Sequence, residues 1–280
     1  MTHQYVSYSK FGDLDTLKVS HPSCTAEISL FGGHLLSFAP TDQDEILWLS
    51  QSAKLDGSKP IRGGVPLCWP WFGPGKGENA GLAQHGFART SLWQLDSVSE
   101  TEQQVELLLS PRLDEAQRTS NSLSLQLKFV LSSSMEIQMI SKNAGNKPVA
   151  LSQAIHTYFK LEDVNQAKLL GIHGCQYFDQ LTTKNQTQES DVTISGACDR
   201  IYLCDNPSLT LVDGPRQIEI EGQGHDSVVV WNPWQQGAES MIDFDDLGYK
   251  QMICVEMANT QGLVLQPGES HFLSQTFYRK

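Results

Sequence analysis

Residues 123–141 read LSLQLKFVLSSSMEIQMIS, and this stretch decides the fold class. Leu123, Leu125, Leu127 and Phe129 alternate with polar or small neighbours, and Met135, Ile137 and Met139 repeat the pattern. Successive side chains of an extended chain point to opposite faces, so a period of two marks a strand with one face in a core. The same reading extends to QIEIEG (217–222), TAEISLF (25–31), EILWL (45–49), QVELLLS (104–110), ALSQAIHTYF (150–159) and SLTLV (208–212). It extends also to SVVVW (227–231), MICVEMA (252–258), GLVLQ (262–266) and FLSQTFY (272–278). Turn signals such as FGG, NAGNKP, DNP, VDGP and QPGES fall between these segments. No stretch of about ten residues carries helical periodicity. DEAQRT (114–119) and FDDLGYK (244–250) are each expected to form no more than a helical turn or two. The pattern predicts an all-β protein, a large antiparallel β-sandwich with few short helices. The absence of strand–helix alternation argues against a doubly wound nucleotide-binding fold.

The chain has 280 residues, of which 39% are hydrophobic, enough to bury a sizeable core. With no internal repeat, low-complexity tract or charged linker, residues 1–280 are expected to form a single domain. Charged residues make up 19%, below the usual share of about 25%, which argues against bulk disorder. The net charge of -12 repels nucleic-acid phosphates and anionic lipid, so neither is expected as a partner. A small anionic substrate would need local cations, which makes paired arginines informative. Six scattered cysteines without a C-x-x-C motif support neither a zinc ribbon nor a redox motif. The first twenty residues lack an apolar segment, and no run reaches the ~18 apolar residues of a membrane span. A cytoplasmic location with thiols mostly buried as small hydrophobes is the expectation.

Five segments carry residues capable of chemistry. The Gly- and Pro-rich stretch 56–82 holds IRGGVPLCWPWFGP (61–74), in which Arg62 can fork onto a phosphate or carboxylate. Gly63 and Gly64 would allow backbone to approach a ligand. Trp69 and Trp71 either present flat faces to a sugar or plug one end of the sandwich. The nearby GPGKGENAG lacks the G-K-[ST] ending of a phosphate loop and reads as surface. QHGFART (84–90) contains Gln84, His85 and Arg89; if extended, it sets His85 and Arg89 on one strand face. His156 sits in an apolar, aromatic strand, as a satisfied core histidine or as a general acid in a dry pocket. Asp199, beside Arg200, reads as half of a surface pair or as an acceptor for sugar hydroxyls. Glu256 shares a strand face with Met252, Cys254 and Ala258, an apolar setting that is costly for a carboxylate without a partner. His85, His156, Asp199 and Glu256 could also compose a two-histidine, one-carboxylate iron site, although none has close ligand spacing. No G-x-S-x-G supports a serine hydrolase.

Taken in order, FGGHLLSF, IRGGVPLCWPWFGP, QHGFART, HTYF, CDRIY, VVVWNPW and MICVEMAN resemble the aldose 1-epimerase-like superfamily, and within it the glucose-6-phosphate 1-epimerase (hexose-6-phosphate mutarotase) branch. The matching strings span roughly residues 31–259. The resemblance implies a galactose mutarotase-like β-sandwich with a sugar cleft, no cofactor and no metal in catalysis. It implies a small phosphosugar as substrate, and the chain is expected to act as a monomer. It places the acid role on His156 and the base role on Glu256. It makes Arg62 and Arg89 substrate-binding residues suited to the phosphate, with Gln84, His85 and Asp199 as further substrate contacts. Two stretches depart from the family's pattern. GAC at 196–198 replaces an acidic residue and a Thr or Val, and QQGAES at 235–240 lacks a lysine that relatives often carry. A mutarotase of unphosphorylated aldoses, a non-catalytic carbohydrate-binding protein and a metal-dependent β-sandwich enzyme stay open as alternatives.

Overall fold

The computed structural model describes residues 3–114, 117, 122–206 and 208–280. Its strands form three antiparallel sheets. The first is a four-stranded meander of β1 (Val6–Phe11), β2 (Leu14–His21), β3 (Cys24–Ser29) and β4 (His34–Pro40). The second, eight-stranded sheet contains β5 (Leu67–Cys68), β10 (Val149–Ile155), β11 (Tyr158–Lys160), β13 (Gln176–Asp179), β14 (Lys184–Thr187), β16 (Cys198–Leu203), β19 (Ser227–Asn232) and β20 (Met252–Leu265). The third, nine-stranded sheet contains β6 (Trp93–Glu100), β7 (Val105–Pro111), β8 (Leu123–Leu131), β9 (Met135–Asn143), β12 (Lys168–Leu170), β15 (Val192–Thr193), β17 (Ser208–Asp213), β18 (Arg216–Gln223) and β21 (Ser270–Arg279).

The alternation of residues 123–141 sets β8 against β9, with Leu127 opposite Met139 and Phe129 opposite Ile137. Their apolar sides enter one hydrophobic core, where Leu17, Phe38, Val255, Met257 and Phe277 bring in residues of all three sheets. All of these side chains are at most 1% exposed. Burying each contributes roughly 1.5–3 kcal/mol relative to exposure, which is why the register of period-two strands is held so firmly.

Several segments fold differently from their local pattern. EILWL does not form a strand; Leu47 and Leu49 make only isolated bridges, to Phe159 and Gly63. ALSQAIHTYF splits into β10 and β11 at His156 and Thr157. MICVEMA and GLVLQ merge into the 14 residues of β20. FDDLGYK supplies a turn and the start of a 3-10 helix, Gly248–Gln251. DEAQRT lies largely outside the described residues. A seven-residue helix, α1 (Trp234–Ser240), follows β19, too short for periodicity to announce it. No helix among the described residues is long and apolar enough to cross a membrane. All six cysteines are free and all but the half-buried Cys175 are buried.

Candidate active site

β20 is buried on both faces from Met252 to Asn259, and its alternation sorts two environments. Ile253, Val255 and Met257 point into the shared core. Met252 and Cys254 pack outward with Trp48, Tyr158, Phe244 and Tyr249. Ala258 packs outward with Cys68, Ala154 and Val229, against Phe72 and Ile201. Glu256 lies on that outward face, 1% exposed. Cys254 is opposite Tyr158, and Met257 opposite Ile155, so the gap between β10 and β11 puts His156 beside Glu256. His156 Nδ1 is 3.3 Å from Glu256 Oε1, and His156 is 9% exposed. Neither His156 Nδ1 nor Glu256 Oε2 has a hydrogen-bond partner among the described residues. Groups this buried usually have one, and an unsatisfied pair suits an incoming polar ligand.

The break carrying His156 is held from two sides. On the outer side, the IRGGVP segment runs alongside it: the His156 amide donates to the Pro66 carbonyl (3.0 Å) and the Tyr158 amide to the Gly64 carbonyl (2.9 Å). That course requires glycine. Gly63 and Gly64 have φ of 104° and 57°, and a Cβ would come within 2.5 Å of the Trp48 carbonyl oxygen or 2.3 Å of that of Leu35. On the inner side, fully buried Gln275 of β21 donates to the Val255 carbonyl (2.9 Å) and accepts from the Thr157 hydroxyl. Thr157 follows His156 and Val255 precedes Glu256, so one amide side chain ties the backbones of both. The Tyr158 ring stacks on the His156 imidazole, with centroids 4.9 Å apart and planes 6° apart.

The other predicted residues gather around this pair in part. His85 faces His156, with ring centroids 6.0 Å apart. Residues 84–90 are not extended, which corrects the strand-face reading of His85 and Arg89. His85 has a φ of 65°, and Ala88–Thr90 form a 3-10 turn. The Gly73 amide donates to His85 Nδ1 (3.2 Å), so the proton of the neutral ring resides on Nε2. Arg89 donates to the Gln84 backbone carbonyl (2.7 Å). No carboxylate among the described residues forms an ion pair with it, whereas Arg62 pairs with Asp243 (3.3 Å) and donates to the Tyr158 hydroxyl (3.1 Å). Asp199 does not pair with its neighbour Arg200; its carboxylate accepts from Gln180 (2.6 Å). Gln84 is exposed, and only its carbonyl engages a site residue.

Trp69 and Trp71 act as plugs rather than sugar platforms. Trp69 is wholly buried with its indole N–H on Ser141, and the Trp71 indole N–H reaches the Ala83 carbonyl. The half-buried aromatic next to His156 is Trp231, at 6.3 Å between centroids. Sequence reasoning missed both Trp231 and Gln275. The string VVVWNPW contains the first without singling it out, whereas nothing local distinguishes Gln275 from any polar residue on a strand.

Electrostatics fix where the pair keeps its proton. Burial, with His85, Arg89 and Arg62 nearby, holds the His156 imidazole well below its usual range. Burial and the Asp199 charge push the Glu256 carboxyl well up, against the opposing pull of Arg89. His85 is lowered to about 3 by burial, Arg89 and Arg62. Burial, and secondarily Asp179, raises Asp199 against the Gln180 hydrogen bond. Burial thus disfavours the charged form of both groups, and the two directions favour the proton on Glu256 in the free protein. The four-residue iron site does not assemble: among the described residues the one cluster with metal-ligand geometry is His156, Cys254 and Glu256.

The aldose 1-epimerase family matches residues 15–278. Proteins named "Putative glucose-6-phosphate 1-epimerase" from Cenchrus ciliaris and Salmonella typhimurium are 32% and 34% identical, over 88% and 90% of this chain and 79% and 85% of their own lengths. A crystal structure of a "putative mutarotase (YeaD)" from Salmonella typhimurium superposes with a TM-score of 0.92 at 31% identity, covering 100% of this chain and 95% of the other. A galactose mutarotase-like protein from Clostridium acetobutylicum, 13% identical over 99% of this chain and 98% of its own, shares the fold with a TM-score of 0.75.

Proposed function

Because the chain belongs to the aldose 1-epimerase family, we propose that it is an isomerase interconverting the α and β anomers of a hexose 6-phosphate, glucose 6-phosphate foremost. The observation that carries this reading is the buried contact of His156 Nδ1 with Glu256 Oε1 at 3.3 Å. The names of its relatives supply the substrate class. The whole chain acts as one unit, a cytoplasmic monomer that needs no cofactor.

Ring opening removes a proton from the C1 hydroxyl and delivers one to the ring oxygen. The C1–O5 bond breaks as the C1 carbonyl forms; rotation about C1–C2 and the reverse transfers close the other anomer. Glu256 takes the O1 proton and His156 supplies that of O5, with roles exchanged on closure. The two oxygens share C1, so an acid and base in contact can serve both. His85 Nε2–H, Gln84 and Asp199 hold hydroxyls, and positioning lowers the barrier further.

This scheme needs the proton on His156, whereas the free site favours it on Glu256. The substrate's phosphate resolves the difference. Arg62 and Arg89 are among the charges that depress His156. Arg89 lowers both groups, so a dianion on it raises both, whereas Arg62 weighs on His156 alone: a phosphate dianion that neutralises Arg62 raises the imidazole's proton affinity relative to Glu256 and draws the proton across. Arg89, without a carboxylate partner among the described residues, is the stronger anchor; at Arg62 the phosphate competes with Asp243. Selectivity for the phosphosugar then resides in proton placement as well as in binding.

The test is the rate of α/β exchange by magnetisation-transfer NMR, for glucose 6-phosphate against glucose and galactose at equal concentration. Acceleration selective for the phosphosugar is expected. Acceleration of the free sugars alone would return the arginines to structural roles, and no acceleration of any sugar would favour a carbohydrate-binding protein.

A further inference from the structure

Cys254 belongs to the C-x-E string, yet anomerisation has no use for it. Strand alternation puts its side chain on the same face as Glu256, and it is wholly buried. One ligand atom each from His156, Cys254 and Glu256 lie within 4.8 Å of one another. We propose that these three side chains form a site for a soft divalent cation, zinc by the nature of its donors, and that its occupancy blocks anomerisation.

The donor set is nitrogen, sulfur and oxygen, each of which zinc accepts in a tetrahedral shell. Arms of about 2.0 Å to nitrogen and oxygen and about 2.3 Å to sulfur separate neighbouring ligand atoms by roughly 3.3–3.6 Å. His156 Nδ1 and Glu256 Oε1 already stand at 3.3 Å, and the three ligand atoms lie within 4.8 Å of one another, so completing the set asks for a side-chain shift on the order of 1 Å. A second observation points to a ligand independently of the thiol. Among the described residues, His156 Nδ1 and Glu256 Oε2 are buried without hydrogen-bond partners, on residues 9% and 1% exposed. The tetrahedron's fourth position is left for water or a sugar hydroxyl, as at zinc sites with three protein ligands. On binding, the thiol and carboxyl protons pass to buffer, and thiolate plus carboxylate balance the ion's two charges. The same ligation removes the lone pairs that hold and move the reaction's protons. The blocking of activity therefore rests on the proposed function, whereas the binding does not.

The purified full-length protein is titrated with cobalt(II), a spectroscopic stand-in for zinc. One equivalent should produce an ultraviolet thiolate-to-cobalt charge-transfer band and the visible bands of tetrahedral cobalt, and zinc should displace both. In Cys254→Ser the charge-transfer band should vanish and zinc affinity should fall by at least about 10²-fold, with exchange activity retained. Cys254→Ala serves the same purpose if the serine variant does not fold. Zinc should stop glucose 6-phosphate exchange in the wild type at the concentrations that displace cobalt, and should spare Cys254→Ser. Absence of the charge-transfer band, or its persistence in both variants, overturns the site. Stoichiometric zinc with an unchanged exchange rate overturns the block. A protein inactive on every sugar that still shows the band would refute the proposed function and leave the metal site standing.

Discussion

Replacing Glu256 by Gln separates catalysis from folding more cleanly than any other change at this site. The substitution keeps shape and removes the one carboxylate among the described residues that is in contact with His156. A positioned general base is typically worth about 10²–10⁴-fold, or about 2.7–5.4 kcal/mol at 1.36 kcal/mol per tenfold. Exchange of glucose 6-phosphate at saturation should fall by that factor toward the spontaneous rate, with binding little changed. Stability should behave in the opposite sense. Burial raises the Glu256 carboxyl in the folded state, so its protonated form is the one the fold favours. Its stability contribution is complete below the ordinary carboxylate range and is lost as pH climbs through the raised value. Gln cannot ionise and escapes that loss. Variant and wild type should therefore melt alike near pH 4, and the variant should be equal or more stable at pH 8. The assays are magnetisation-transfer exchange rates, corrected for spontaneous mutarotation, and thermal melts across that pH span. An exchange rate within a factor of three of the wild type would refute the base assignment. A melting temperature that falls with the rate at every pH would make the residue structural.

Further outcomes test the rest of the site. Arg89→Ala removes a charge-assisted contact worth about 1.5–3 kcal/mol, so KM for glucose 6-phosphate should rise roughly 10- to 150-fold while exchange of free glucose stays put; equal effects on both sugars would exclude a phosphate role. If a dianion that neutralises Arg62 readies His156, inorganic phosphate should accelerate exchange of free glucose in the wild type by the same NMR measurement, and an unchanged or slowed rate would refute that role. Gln275→Met deletes the amide that ties Thr157 and Val255, and a displacement near 1 Å is enough to lower kcat by about 10²-fold with KM nearly constant. Ser141→Ala, which cuts the Trp69–Ser141–Gln153 chain elsewhere in the core, should cost comparable stability and leave kcat intact.

The strands were legible from short-range pattern because their cause is short-range. In LSLQLKFVL and MEIQMIS, each side chain's face follows from the pleat, and the apolar face must find a core whatever lies elsewhere. EILWL misled for the complementary reason: its apolar residues are buried against neighbours distant in sequence without a ladder to join. The extended reading of QHGFART failed because the backbone turns at His85 to bring Gly86 hard against the Trp69 carbonyl, where a Cβ would lie 2.0 Å away.

The site residues were nameable one by one, and through the resemblance collectively, but their arrangement is tertiary. His156 and Glu256 are 100 positions apart in sequence and meet because β10 and β11 both pair with β20. Gln275 joins them from the opposite sheet. Trp69 and Trp71 share an aromatic motif with real ligand-facing possibilities, and only packing sends their faces inward. Sequence alone determined that the chain is all-β and that it carries a histidine, a glutamate and two arginines capable of this chemistry, since alternation and side-chain chemistry are properties of the residues. The tertiary structure decided that His156 and Glu256 touch, that Arg62 is ion-paired while Arg89 has no carboxylate partner among the described residues, and that burial favours the proton on Glu256, because desolvation and charge proximity exist only once distant strands are brought together.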